Sequence, residues 1–239
     1  MAWGDPTISV RGVSLETRYA GPSPSEAPTL VLLHEGLGSA GLWRDFPERL
    51  SKATGFGVAA YSRAGYGQSD PVSLPRPLDY MTREATQVLP HFLDAIGFKR
   101  GLLMGHSDGA TIAAIYAGSI EDFRVRGTIL MAPHFFTEEL GLTEIARARQ
   151  AYATTDLRAR MAKHHRDPDN AFRGWNDAWL DPGFRSWNVG DVIDYFRLPT
   201  LAIQGRQDQY GTLAQIAEVE TRSYAPVEVA VLEDCRHAP

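Results

Sequence analysis

The chain has 239 residues, 44% hydrophobic and 22% charged, enough to bury a full core and unlike the composition of a disordered or low-complexity protein. A formal net charge of −5 gives no general attraction to nucleic acid or to an anionic membrane. The single cysteine, Cys235, rules out an internal disulfide and a thiolate metal cluster, and reads as a small apolar side chain.

The N-terminal residues MAWGDPTISV lack the basic and apolar regions of a secretory signal, and no run approaches the roughly 20 apolar residues of a membrane span, so a cytoplasmic location is expected. Residues 7–19 alternate apolar and polar side chains around Gly12, a pattern for a short antiparallel hairpin. Beyond the turn-rich residues 21–28, the compact apolar runs 29–33, 57–61, 101–104, 127–131, 200–203 and 227–232 predict strands buried on both faces. Residues 79–96 predict an amphipathic helix with Met81, Ala85, Val88, Leu89, Phe92 and Ile96 on one face, kinked at Pro90. A further helix is expected to carry Trp43, Phe46 and Leu50. Buried strands alternating with helices specify an α/β fold, a mainly parallel sheet flanked by helices. Residues 134–190 break the alternation, with charged helical segments and Trp175, Trp179 and Trp187, and predict a helical cap inserted into a core of residues 1–133 and 191–239.

Four segments carry chemistry. Gly105-His106-Ser107-Asp108-Gly109 lies between an apolar run and a helix-forming run, the context of a G-x-S-x-G elbow whose glycines let the backbone close while Ser107 is raised as a nucleophile. His34-Glu35-Gly36-Leu37-Gly38 follows the strand at 29–33; acyl transfer needs fixed N–H donors for the developing oxyanion, and the amides of Gly36 and Asp108 are the candidates. G-x-G-x-x-G is absent there, which disfavours a dinucleotide site. Asp208 follows the strand at 200–203, and His237 follows the last one, in the order Ser, Asp, His. His34 and His106 read as loop-positioning residues, His134 as the start of the cap. His164, His165 and the basic residues at 158–166 read as a solvated face. Phe135, Phe136, Trp175, Trp179 and Tyr210 are candidates for lining an apolar substrate pocket, with Trp187 beside them.

With these segments the chain resembles the α/β-hydrolase superfamily, in its capped esterase-like branch, from Ile8 to His237. Tyr61-Ser62-Arg63-Ala64-Gly65-Tyr66-Gly67-Gln68-Ser69-Asp70 is similar to the family loop D-x-x-G-x-G-x-S, with Arg63 departing from it. Glu35 stands where the family commonly has glycine, and Asp108 where it often has an apolar residue; the Asp108 carboxylate would repel anionic substrates or contact the cap. The resemblance implies a last helix beyond Pro239 that anchors the loop of His237. It also implies a serine hydrolase of a small-molecule carboxylic ester or lactone, with Ser107 as nucleophile, His237 as base and Asp208 orienting it, and with no metal or organic cofactor. Carbon–carbon hydrolysis of a diketone-type substrate uses the same scaffold and stays open, as does a ligand receptor on this fold. A serine nucleophile argues against dehalogenase and epoxide hydrolase chemistry, whose family nucleophile is aspartate.

Overall fold

The computed structural model describes residues 3–239. The hairpin is present as β1 (Thr7–Val10) and β2 (Val13–Ala20), antiparallel in register Val10 to Val13. There follow β3 (Thr29–Leu33), α1 (Phe46–Thr54), β4 (Gly57–Tyr61), α2 (Tyr80–Arg83), α3 (Leu89–Ala95), β5 (Gly101–His106) and α4 (Asp108–Ser119). β6 (Val125–Met131) leads into α5 (Glu139–Thr154), α6 (Leu157–Met161) and α7 (Pro168–Trp179), then β7 (Thr200–Gly205), α8 (Ala214–Arg222) and β8 (Val227–Leu232) close the chain. The eight strands among the described residues form one sheet ordered β1-β2-β4-β3-β5-β6-β7-β8, parallel from β4 to β8.

This order places the site. From β3 the chain crosses to β4 on one side and then to β5 on the other, so the crossovers diverge between β3 and β5 and leave a crevice at the carboxyl ends of those strands. His34 to Gly38 leave β3 there, and Ser107 leaves β5. Between β6 and β7 the chain is helical, with an isolated bridge between Phe136 and Asn188 as its extended pairing.

Several sequence expectations are corrected. The helix at 79–96 is two helices joined by a π turn over Glu84–Val88, with Leu89 N–H donating to the Glu84 carbonyl. Pro90 cannot supply the next helical donor, and the widened turn absorbs the loss. Trp43 and Phe46 lie on different elements, because Arg44 at φ 50° separates a 3-10 turn at Ala40–Trp43 from α1. β8 is half exposed, since it is an edge strand paired with β7 alone. α4 is buried from Asp108 to Ala117 because the sheet packs on one side and residues 190–195 on another, which suits its alanine-rich sequence.

The elbow shows why its glycines are required. A Cβ on Gly105 would sit 2.1 Å from the Gly109 carbonyl oxygen, and one on Gly109 would sit 2.0 Å from the Leu33 carbonyl oxygen. Both contacts are with backbone, which cannot yield as a side-chain tip can. Gly109→Ala is therefore expected to destabilise the fold by on the order of 3 kcal/mol. Urea unfolding that places the variant within about 0.5 kcal/mol of the parent would show that α4 can retreat from β3.

Candidate active site

Ser107 has φ 54° and ψ −119°, a conformation that L residues adopt only under constraint. Its N–H donates to the Met131 carbonyl at 2.8 Å and its own carbonyl accepts from Thr111 N–H at 3.0 Å, so β6 and α4 hold it from both sides. Ser107 lines a cavity of about 150 Å³ that is also lined by Gly36, Leu37, Asp108, His134 and His237. Ile145, Trp175, Trp179 and Tyr210 supply apolar wall, and Glu35 and Glu138 supply carboxylates.

His237 Nδ1 lies 2.9 and 2.8 Å from the two carboxylate oxygens of Asp208. A carboxylate only accepts, so Nδ1 carries the hydrogen in this pair. Burial works to raise the Asp208 pKa, but the hydrogen bond and charge of His237 and the Tyr210 N–H bring it below the ordinary aspartate value. Gln204 Nε2 donates to the same carboxylate at 2.7 Å. The loop of His237 is held at its backbone: the His237 carbonyl accepts from His106 Nε2 at 2.7 Å, and Gln207 N–H donates to the Cys235 carbonyl at 2.9 Å. Thus Ser107 and His237 share a cavity, and Asp208 stands behind His237.

Gly36 and Asp108 both line this cavity. Gly36 N–H has no hydrogen-bond acceptor among the described residues, and Asp108 is the first residue of α4, where a helix leaves its N–H groups without internal partners. A Cβ on Gly36 would lie 2.3 Å from Trp175 Nε1, so a glycine is needed beneath that indole.

Of the proposed pocket aromatics, Trp175, Trp179 and Tyr210 line the cavity and Phe135, Phe136 and Trp187 do not. Phe135 is fully buried in the core and its N–H donates to Gln215 Oε1, while Phe136 gives its carbonyl to Gln215 Nε2. Trp187 stacks on Phe184. The Asp108 side chain is linked to residues 134–190 through Tyr80 of α2: Tyr80 OH donates to it at 2.5 Å, and Trp179 Nε1 donates to Tyr80 OH at 3.0 Å. It is not a free charge facing substrate, because Arg63 pairs with it at 3.6 Å. Aligned on Gly65, Gly67 and Ser69, the family aspartate position falls on Ser62 rather than Arg63. The Ser62 hydroxyl donates to Glu16 and accepts from Ala40 N–H.

Two histidines were underrated. His165 is buried, not solvated: its Nδ1 accepts from Gly67 N–H and its Nε2 donates to the Leu37 carbonyl, tying two loops together. His134 is buried against the site, its ring centroid 5.7 Å from that of His237 and 5.3 Å from that of Trp179. The sequence signal was its place just past β6, at the carboxyl edge of the sheet.

Burial pushes the His134 pKa down to about 3, with the His237 ring adding to the effect, and burial likewise holds His34 well below 6.5. The unfolded chain therefore binds more protons than the native state below pH 6.5, so this stability is full above 6.5 and is lost as pH falls toward 3. At about 1.4 kcal/mol per pH unit, a His134→Asn variant is expected to lose about 2 kcal/mol less than the parent between pH 7.5 and 5.0. Urea unfolding at both values checks this, and equal losses would place the proton uptake elsewhere.

Comparison with known proteins agrees with this architecture. The chain is 26% identical over 215 residues to the mouse protein Serine hydrolase BPHL, covering 84% of this chain and 69% of that protein. A carboxylesterase structure from Nitrososphaera gargenis superposes with a TM-score of 0.77 at 20% identity, over 97% of this chain and 91% of that one. The enol-lactonase from Burkholderia xenovorans LB400 superposes with a TM-score of 0.72 at 20% identity, over 95% and 91%. The sequence model described as the alpha/beta hydrolase fold matches residues 28–174, more than half of the chain, and with the sheet order and elbow above this protein belongs to the α/β-hydrolase fold family.

Proposed function

We propose that the protein is a serine hydrolase that cleaves a small-molecule carboxylic ester or lactone through an acyl-enzyme on Ser107. The observation that carries this reading is Ser107 on its constrained elbow, opening into one cavity with a histidine whose Nδ1 is committed to a buried carboxylate. The cap role of residues 134–190 belongs to the same reading, supported by Trp175 and Trp179 standing over the site. The names of the mouse relative and of the two superposed enzymes favour ester or lactone substrates.

In this mechanism Ser107 Oγ attacks the substrate carbonyl carbon while its proton passes to His237 Nε2. Charge develops on the carbonyl oxygen, which the amides of Gly36 and Asp108 receive. The carbon–oxygen bond to the alkoxy group then breaks, and His237 returns the proton to the leaving alcohol. Water, deprotonated by His237, attacks the acyl carbon; the bond to Ser107 Oγ then breaks, and His237 returns the proton to Oγ as the acid leaves. Asp208 holds the imidazole in the Nδ1–H tautomer and offsets its charge when Nε2 is protonated. The small, mainly apolar cavity suits a short acyl group.

A fluorophosphonate probe is expected to add once, at Ser107, and the adduct to vanish in Ser107→Ala; intact mass and peptide mapping check it. An adduct retained in Ser107→Ala would reject the nucleophile. Asp208→Asn is expected to lower ester turnover by about 10⁴ in kcat, because an amide can donate to Nδ1 and leave Nε2 protonated. Turnover within tenfold of the parent would remove Asp208 from the mechanism.

A further inference from the structure

Arg63 is the largest fully buried side chain among the described residues, and nothing in the mechanism above uses it. Its Nη1 donates to the His34 carbonyl at 2.5 Å and its Nη2 to the Glu35 carbonyl at 3.1 Å. The Glu35 carbonyl also accepts from His34 Nδ1 at 2.7 Å and from Gly38 N–H at 3.0 Å, so three donors converge on one oxygen. The His34 tautomer is fixed by the same residue: Arg63 N–H donates to His34 Nε2 at 3.0 Å, which leaves the hydrogen on Nδ1.

The Glu35 carbonyl and the Gly36 N–H belong to one peptide unit. That unit is planar and trans, so whatever fixes the direction of the carbonyl fixes the N–H on its opposite side. A charge-assisted bond to the oxygen also draws electron density away from the nitrogen and makes the N–H a stronger donor. The same Nη2 lies 3.6 Å from the carboxylate of Asp108, whose own N–H is the second amide of the proposed oxyanion site. One guanidinium therefore touches the segments that carry both donors.

We propose that Arg63 is a positioning residue for oxyanion stabilisation, orienting and polarising the Glu35–Gly36 peptide and holding the Asp108 turn against it. The proposal rests on the acyl-transfer reading above. It assigns to Arg63 no contact with substrate: the guanidinium acts through two backbone units, and its charge adds to the field at the developing oxyanion.

The test compares an oxygen ester with its thionoester, p-nitrophenyl acetate and p-nitrophenyl thionoacetate, because a thiocarbonyl sulfur is a poor hydrogen-bond acceptor and gains little from the amides. Damage to Ser107 or His237 slows both substrates equally, whereas damage to the amides slows the oxygen ester selectively. Arg63→Met is expected to lower kcat on the ester by about tenfold or more with KM nearly unchanged, and to lower the ester-to-thionoester ratio of kcat/KM by a similar factor. Arg63→Lys, which offers one donor direction where the fork offers two, is expected to fall between. Because Arg63→Met strands the Asp108 carboxylate, the same ratio is measured in Arg63→Met/Asp108→Asn, where neither charge remains. An unchanged ratio in folded variants, or equal slowing of both substrates, would overturn the proposal. Loss of folding in all three variants would also overturn it, assigning Arg63 to stability alone. If the parent protein forms no fluorophosphonate adduct on Ser107, the acyl-transfer reading fails; if it does and the ratio holds, only this inference fails.

Discussion

The arrangement depends on one buried cation. Removing a guanidinium from water is costly unless every donor finds an acceptor and the charge finds a partner. Arg63 meets much of this requirement with the carbonyls of His34 and Glu35, the carboxylate of Asp108 and the face of Tyr66, 4.9 Å from its Cζ to the ring centroid. Burial acts to lower its pKa, yet Tyr66, Asp108 and Glu84 raise it above the ordinary arginine value, so the group stays charged. The carbonyls it needs lie at the end of β3 and the carboxylate at the start of α4, so satisfying one charge ties the two loops that face each other across the sheet's crevice.

The acid side of this cluster is balanced in the same way. Burial holds the pKa values of Asp108 and Glu84 above the ordinary carboxylate range, offset in part by Arg63 and Tyr80 for Asp108 and by Tyr61 and the neighbouring arginines for Glu84. Tyr61 OH donates to Glu84 at 2.6 Å and Tyr80 OH to Asp108, while the Arg76 guanidinium lies over the rings of Tyr66 and Tyr80. The π turn at Glu84–Val88 belongs to the segment that brings Glu84 and Tyr80 to this cluster from between β4 and β5. Such a network is expensive to leave half satisfied, which favours one arrangement of the loops over many.

Much of this was legible in the sequence, and the division has a physical basis. Strands β3 and β4 fall where the apolar runs place them, since a run that must be buried has few alternatives. The elbow was legible because its glycines answer to contacts of about 2 Å with backbone, a constraint that leaves a fixed mark on residue type. Asp208 and His237 could be placed by chain order. What escaped were features set by contacts distant in sequence. His165 is buried by a loop 98 residues earlier, Phe135 turns into the core to meet Gln215, and β8 is exposed by its edge position. None of these leaves a local pattern.

Arg63 and Asp108 show the limit most clearly. Taken one position at a time, one is an unexplained cation in a loop and the other an extra carboxylate beside the nucleophile. In space they are partners, and each accounts for the other: Asp108 beside Ser107 without Arg63 would bury an uncompensated charge, and Arg63 without Asp108 would do the same with the opposite sign. The carboxylate is thereby occupied by Arg63 and Tyr80 instead of standing free toward substrate. Glu35, by contrast, keeps a partly exposed carboxylate that lies 3.9 Å from His106 Nδ1. Arg63 thus pairs with the side chain of the residue beside the nucleophile, whereas on the β3 loop it holds the Glu35 carbonyl and leaves the carboxylate alone.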